Sequence, residues 1–226
     1  MEDYYKKTKH LVAVDCVIFG YKKEQLHLLL YPRGFEPAKG KWSLMGGFLQ
    51  DKESSDDSAR RILKSTTGLM DVYLEQVAFF TNPLRDKAAR VISLVYYALL
   101  KEDKYDETLV REHGAHWWPV NKLPDFIFDH EEMVRKSMEK LQLKASINLV
   151  GIELLPEMFT LQQLRNLYEA IFQKKLDPGN FRKKLLSTDM FEKLNIKNTK
   201  ASKKGAYYYR VKVTSQNKSF DRLMKF

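Results

Sequence analysis

Between Trp42 and Leu69 the chain strings together residue types that suit phosphate or metal chemistry. A short apolar run, Trp42-Ser43-Leu44-Met45, leads into Gly46-Gly47-Phe48, then Glu53, then an amphipathic segment through Arg61 that stops at Gly68. Strand, loop and helix in that order can bring a backbone and a carboxylate close to a charged ligand. A hard divalent cation needs several oxygen ligands together. Glu53, even with Asp56 and Asp57 nearby, is a poor set for one, so no metal and no cofactor are expected.

Two ligand chemistries stay open. A diphosphate held without metal would need protein cations, and Arg33, Lys39, Lys41 and Arg61 are available. An uncharged sugar would want an aromatic face and a few polar groups. Tyr31, Phe35 and Trp42 supply rings; Asp15, Glu36, Asn82, Arg85 and Asp86 supply polar groups. The candidate effector set is therefore Asp15, Tyr31, Arg33, Glu36, Lys41, Trp42, Asn82, Arg85 and Asp86. His113 and His116 have metal-pair spacing but lack a third ligand nearby, and read as loop histidines beside Trp117-Trp118. Asp129, with Glu131 after it, reads as a helix N-cap. No Ser-His-Asp set or phosphate-binding P-loop is present.

A second chemistry lies near the C-terminus. Thr160 caps a segment in which Leu161, Leu164, Leu167, Tyr168, Ile171 and Phe172 recur at helical spacing. A turn over residues 175–179 leads to a second helix from Asn180 to Ser187, with Phe181, Leu185 and Leu186 facing inward. Asn180, Arg182, Lys183, Lys184 and Ser187 are left outward. Arg and Asn read guanine and adenine edges, whereas lysines mainly meet phosphate. Thr160, Gln162 and Gln163 would touch the DNA backbone, and Lys200, Lys203 and Lys204 would sit on the wing of a basic hairpin, 191–196 and 206–213. Helix, turn, basic helix and hairpin make a winged helix-turn-helix.

The elements that must position these groups follow from periodicity. Residues 11–20 and 25–31 read as strands joined by a hairpin loop at 21–24, with a further strand at Trp42–Met45. Ser54 or Ser55 caps a helix whose stripe is Ala59, Ile62, Leu63 and Thr66, with Gly68 as its stop and Gly46 and Gly47 as turn-makers. Residues 72–80, 91–100 and 116–120 read as strands, and 131–143 as a helix on Met133, Val134, Met138 and Leu141. Residues 155–160 end an irregular linker. Mixed strands around two helices form an α/β sandwich over residues 1–150, followed by a winged helix over 151–226.

Composition agrees with two functions. The 226 residues carry a net charge of +10, but unevenly: residues 151–226 hold 16 Lys+Arg against 7 Asp+Glu, and residues 1–150 hold 23 against 22. A basic module beside a neutral one points to nucleic acid as the partner of the smaller part. One cysteine, no apolar leader and no run approaching the ~20 apolar residues of a membrane span point to a cytoplasmic protein with no membrane partner.

The Trp42–Leu69 stretch resembles the Nudix box, G-x5-E-x7-R-E-U-x-E-E-x-G-U, with Gly47, Glu53, Arg61, Leu63, Gly68 and Leu69 in register. The glutamates that follow the arginine are replaced by Ile62, Ser65 and Thr66. With Phe126-Ile127-Phe128-Asp129-His130, Leu155-Pro156-Glu157-Met158-Phe159-Thr160 and Asn180-Phe181-Arg182-Lys183-Lys184-Leu185, the whole chain resembles the Nudix-related transcriptional regulators (NrtR-like). It is most similar to the arabinose-responsive repressor branch (AraR) of the Bacteroidetes. The resemblance implies a homodimer formed through Nudix-like domains, double-stranded operator DNA as partner, and no hydrolysis. It implies release of DNA by a small effector, with L-arabinose expected. The alternatives are an ADP-ribose-sensing regulator of NAD metabolism, a divergent hydrolase of nucleoside diphosphate sugars, or an RNA-binding module.

Overall fold

A computed structural model describes residues 9–68, 73–101, 107–112, 114–199 and 205–212. Contacts divide the chain into two compact units, the first holding Met1–Gly20, His27–Leu100 and Lys104–Ser137, the second Tyr21–Leu26, Lys101–Asp103 and Met138–Phe226. Among the described residues no helix is long and apolar enough to cross a membrane.

The first unit is organised on a mixed sheet. Strands β1 (Leu11–Lys22), β2 (Gln25–Pro32), β3 (Trp42–Ser43), β5 (Tyr73–Phe80) and β6 (Val91–Lys101) lie in the order β3-β2-β1-β6-β5. Strand β4 (Met45–Phe48) pairs with β1 and β7 (His116–Pro119) with β2. Alternate residues of β1 and β6 enter one buried cluster: Val14, Cys16 and Ile18 meet Leu94, Tyr96, Ala98 and Leu100, together with Ala59, Ile62 and Leu63 of helix α1 (Ser55–Thr67). A period of two on the strands and of three to four on the helix puts these side chains on facing surfaces. Helix α2 (Glu107–Glu112), which the sequence pattern does not announce, lies in this unit, and helix α3 (His130–Ile147) begins in it, its residues from Met138 on belonging to the second unit.

Expected helix ends are borne out at α1. Ser54 and Asp57 form a reciprocal capping box, and Gly68 takes a left-handed φ of 75° and donates its N–H to Lys64 O. The expected single strand Trp42–Met45 is two strands, because β3 pairs with β2 while β4 turns to β1. Gly46 and Gly47 are therefore strand residues opposite Asp15 and Val14, not turn-makers. A Cβ on Gly46 would lie 2.2 Å from Asp15 Oδ1, so the glycine admits a close approach.

In the second unit, α4 (Leu161–Phe172) and α5 (Pro178–Ser187) pack with a three-stranded sheet, β8 (Phe159–Thr160), β10 (Ala206–Val211) and β9 (Phe191–Asn198), in the order β8-β10-β9. Leu164, Leu167, Tyr168, Ile171 and Phe172 bury one face of α4, against Phe181 and Leu185 of α5. Residues 155–160 are not wholly irregular, since Phe159 and Thr160 pair with Tyr209 and Tyr208. Helix α5 begins earlier than expected: Asp177 caps it and Pro178 opens its first turn, where a missing N–H costs nothing. Leu186, expected inside, is 39% exposed.

Candidate functional site

Strand β1 delivers Asp15 to a cavity of about 190 Å³ in the first unit. The cavity is also lined by Tyr31 and Arg33 at the end of β2, Phe35, Ser43, Gly46 to Phe48, Arg85, Asp86, Phe128 and His130. Asp15 is held from both sides: Ser93 Oγ donates to its Oδ2 at 2.5 Å, and Arg85 Nη2 lies 3.8 Å from the same oxygen. Arg85 is itself fixed by Asp129, with Nε to Oδ2 at 2.9 Å and Nη2 to Oδ1 at 2.8 Å. Its side chain is only 5% exposed. A forked guanidinium on a carboxylate is a strong, directional pair. Asp129 therefore spends its carboxylate on Arg85, where the sequence suggests a helix cap.

His130, the first residue of α3, is 4% exposed and accepts the backbone N–H of Leu44 at Nδ1, 3.1 Å away. Burial pushes its pKa below the usual imidazole value, with Arg85 and Arg33 adding to that and Asp15 and Asp129 opposing it. Arg33 stacks its guanidinium 3.9 Å from the Phe35 ring centre and 5.4 Å from that of Phe128, and Nε donates to Phe35 O. The cavity thus offers a stacked cation, aromatic faces, carboxylates and a buried imidazole.

Four expected cavity residues lie elsewhere. Trp42 turns its ring edge-on to His116 and Trp118, with centroids 5.5 and 5.2 Å away. Asn82 closes its own turn by accepting Leu84 N–H at Oδ1. Glu36 and Lys41 are exposed and do not line the cavity. Asp15, Tyr31, Arg33, Arg85 and Asp86 do line it. Phe48, Phe128 and His130 were missed as lining residues, because only the pairing of β4 with β1 and the return of the chain at residue 126 bring them there.

The strand–loop–helix beside the cavity is closed on itself. Arg61 donates from Nε to Glu53 Oε2 at 2.9 Å and from Nη2 to Glu53 Oε1 at 2.6 Å, and Nη2 also reaches Phe48 O and Ser58 Oγ. That hydrogen bonding holds the Glu53 carboxyl well below its ordinary value, at about 2. Ile62 is 4% exposed in the core; Ser65 and Thr66 donate their hydroxyls to Ile62 O at 2.9 and 2.8 Å. Asp57 serves the capping box and Asp56 accepts from Tyr96 OH.

On the second unit, Asn180, Arg182, Lys183, Lys184 and Ser187 are all exposed along α5. Gln162 is exposed at the start of α4. Two other expected DNA contacts, Thr160 and Gln163, are engaged within the fold. Thr160 is buried, and it and Gln163 bond each other in a capping box, Thr160 N to Gln163 Oε1 at 2.8 Å and Gln163 N to Thr160 Oγ1 at 3.2 Å. Lys200, Lys203, Lys204 and His113 lie outside the described residues. The described hairpin adds a feature not anticipated: Tyr207 on β10 carries Lys193 and Lys197 of β9 over its ring, 3.7 and 4.7 Å from the centroid.

Residues 9–138 match the NUDIX domain. The chain belongs to the Nudix family. Residues 151–211 match the NrtR DNA-binding winged helix domain, so a Nudix domain is followed by a C-terminal winged helix. The ADPR responsive transcriptional repressor NtrR of Acinetobacter baylyi is 29% identical over 229 residues, spanning 98% of this chain and 91% of that protein. Shewanella oneidensis NrtR, solved in complex with a 27mer DNA, superposes with a TM-score of 0.80 at 28% identity, covering 95% of this chain and 99% of that one. The NUDIX domain of the same Shewanella oneidensis protein, solved with ADP ribose, matches 61% of this chain and 92% of its own at 28% identity and a TM-score of 0.51.

A Nudix fold implies a divalent cation on α1, and the residues here do not fit one. Ile62 has no donor, the hydroxyls of Ser65 and Thr66 are turned to the helix backbone, and Glu53 is inside the fork of Arg61. Among the described residues no group of three His, Cys, Asp or Glu side chains could hold a metal ion.

Proposed function

We propose that this chain is a DNA-binding transcriptional repressor whose Nudix domain senses ADP-ribose without hydrolysing it and thereby releases operator DNA. The observation that carries this reading is the likeness of both domains, in the same order and across 95% of the chain, to a regulator solved on DNA. The exposed basic row of α5 supports DNA as partner, and the proposal extends to a homodimer on a palindromic operator. ADP-ribose is favoured over L-arabinose because a relative spanning the chain is named for the ADP-ribose response and a matching NUDIX domain is solved with that nucleotide. Arg33 beside Phe35 and Phe128 supplies the cation and the ring surface that a metal-free nucleoside diphosphate requires.

L-Arabinose has one specific observation in its favour. The cavity of about 190 Å³ is smaller than the ~300–1,000 Å³ usual for larger ligands, and Asp15 and Asp86 suit sugar hydroxyls. An effector shifts the DNA equilibrium only by binding the two states unequally. The test is fluorescence anisotropy on a duplex enriched by in vitro selection from a random library. Added ADP-ribose should dissociate the complex while L-arabinose leaves it intact; the opposite response would exchange the two effectors, and no selected duplex would remove the repressor reading.

A further inference from the structure

The buried imidazole of His130 has two ring nitrogens with different fates. Nδ1 accepts the Leu44 N–H at 3.1 Å. An acceptor nitrogen carries no proton, so in the neutral ring the proton sits on Nε2. Among the described residues, the bond at Nδ1 is the one hydrogen bond that this side chain makes. The ring is part of the cavity lining, beside Asp15, Arg33, Arg85 and Phe128. Arg85 has its Nε and Nη2 committed to Asp129, and Arg33 has its Nε on Phe35 O. Asp15 and Asp86 bring only acceptor oxygens. A neutral donor whose orientation is fixed by a backbone bond is therefore supplied by His130.

We propose that His130 is a specificity-determining residue of the cavity, presenting Nε2–H to an acceptor oxygen of the effector while Nδ1 keeps the ring in place. The inference rests on the effector-sensing reading above, and it deepens that reading by assigning the donor. The chemistry shared by a phosphate oxygen and a sugar hydroxyl is an oxygen lone pair, and either ligand can supply it. The burial of the ring matters to strength: a hydrogen bond made by a group that is 4% exposed is worth more than one at the open surface. A ligand lacking an oxygen at that point would leave Nε2–H unpaired and bind less well.

A purely structural histidine would be explained by the bond to Leu44 alone, and two variants separate the cases. His130→Asn keeps an acceptor near the Nδ1 position and removes the donor. His130→Gln keeps a donor near the Nε2 position and removes the acceptor. Calorimetric titration of the full chain with ADP-ribose, and separately with L-arabinose, is paired with thermal unfolding. The proposal expects His130→Asn to retain its Tm and bind about 10- to 100-fold more weakly, the loss of one hydrogen bond to a polar or charged group. It expects His130→Gln to melt earlier yet bind more tightly than His130→Asn. The reverse order of affinities, or equal affinities in both variants and the wild type, overturns it. Imidazole nitrogen NMR of the wild type gives a measurement independent of variant folding. Nε2 should shift on adding the effector and Nδ1 should not; an unmoved Nε2 overturns the proposal. If L-arabinose binds and ADP-ribose does not, with the same variant order, the nucleotide reading fails and the role of His130 stands. Binding of neither ligand by the wild type overturns both.

Discussion

Arg61 lays its guanidinium along Glu53 with two bonds of 2.9 and 2.6 Å, and Gln50 N–H reaches the same carboxylate at 3.0 Å. The Glu53 carboxylate is thus a structural clamp between the loop and α1. The positions where the Nudix box has its further glutamates hold no free carboxylate: Ile62 lies in the core, and Ser65 and Thr66 bond to the backbone behind them.

Glu53→Gln is therefore expected to act on stability. The folded carboxyl is lowered from 4.5 to about 2, chiefly by its hydrogen bonds with Arg61. A depressed acid stabilises the fold fully above its unfolded pKa, and that contribution is lost as pH falls through the folded value. The Tm deficit of Glu53→Gln should be largest near neutral pH and shrink between pH 4.5 and about 2. A deficit independent of pH would show that the Arg61 pair is not its cause. Mg²⁺-dependent cleavage of ADP-ribose to AMP and ribose 5-phosphate should be absent in wild type and variant alike.

Gly46 and Gly47 should separate cleanly. A Cβ on Gly46 meets Asp15 Oδ1 at 2.2 Å and Val14 O at 3.1 Å, whereas one on Gly47 finds nothing closer than Ile62 at 3.9 Å. Gly46→Ala should lower stability by about 1–3 kcal/mol, the usual range for overpacking, and displace the Asp15 carboxylate from Ser93. Gly47→Ala should stay much closer to wild type. Urea unfolding midpoints of the two variants, measured side by side, decide this.

The pH response of the Nudix domain should carry the mark of His130. Its pKa is lowered from 6.5 mainly by burial; Asp15 and Asp129 face it with opposing charge, Arg85 and Arg33 with like charge. A base with a depressed folded pKa favours the fold fully above its unfolded value, and the benefit disappears as pH drops through the lowered one. Wild-type Tm should thus fall below about pH 6.5 more steeply than that of His130→Asn, which has no group titrating there. Parallel Tm profiles of the two chains would remove His130 as the source.

What could be read from the sequence divides along the range of the physics. The ends of α1 and the start of α4 were legible because Ser54, Thr160 and Gly68 act over three or four residues. Asp15, Tyr31, Arg33, Arg85 and Asp86 were legible as polar or aromatic residues at strand ends and in a loop. Trp42 was not, since its ring follows Trp118 and His116, which are remote in sequence. His130 was hidden behind the apparent helix cap at Asp129, and only its bond to Leu44, 86 residues away, gives it a role. Leu186 was misplaced because it stands about 100° around α5 from Leu185, off the face that Phe181 and Leu185 bury.

Thr160 has a role in the fold of the second unit. Its hydroxyl caps α4 and its backbone pairs with Tyr208 of β10. Thr160→Ala should cost about 0.5–2 kcal/mol of stability. DNA affinity per folded molecule should match wild type, measured at a temperature where both chains are native; a weakened affinity there would restore Thr160 as a contact.

On α5 the expectation is reversed, with small effects on stability and large ones on DNA. Arg182, Lys183 and Lys184 are exposed, while Phe181 and Leu185 hold the helix to its domain. If Arg182 reads a base edge, Arg182→Ala should cost about 1–3 kcal/mol and relax preference at one position of the selected duplex. Lys183→Ala should weaken all sequences similarly and reduce the slope of log affinity against log salt by about 1, as expected when one phosphate contact is lost. Tyr207, with Lys193 and Lys197 over its ring, offers a comparison on the hairpin, where Lys193→Ala should resemble Lys183→Ala in the salt slope but leave base preference unchanged. Anisotropy titrations at three salt concentrations, on the selected duplex and on one scrambled control, measure both quantities. Wild-type behaviour of Arg182→Ala and Lys183→Ala together would remove α5 as the recognition helix.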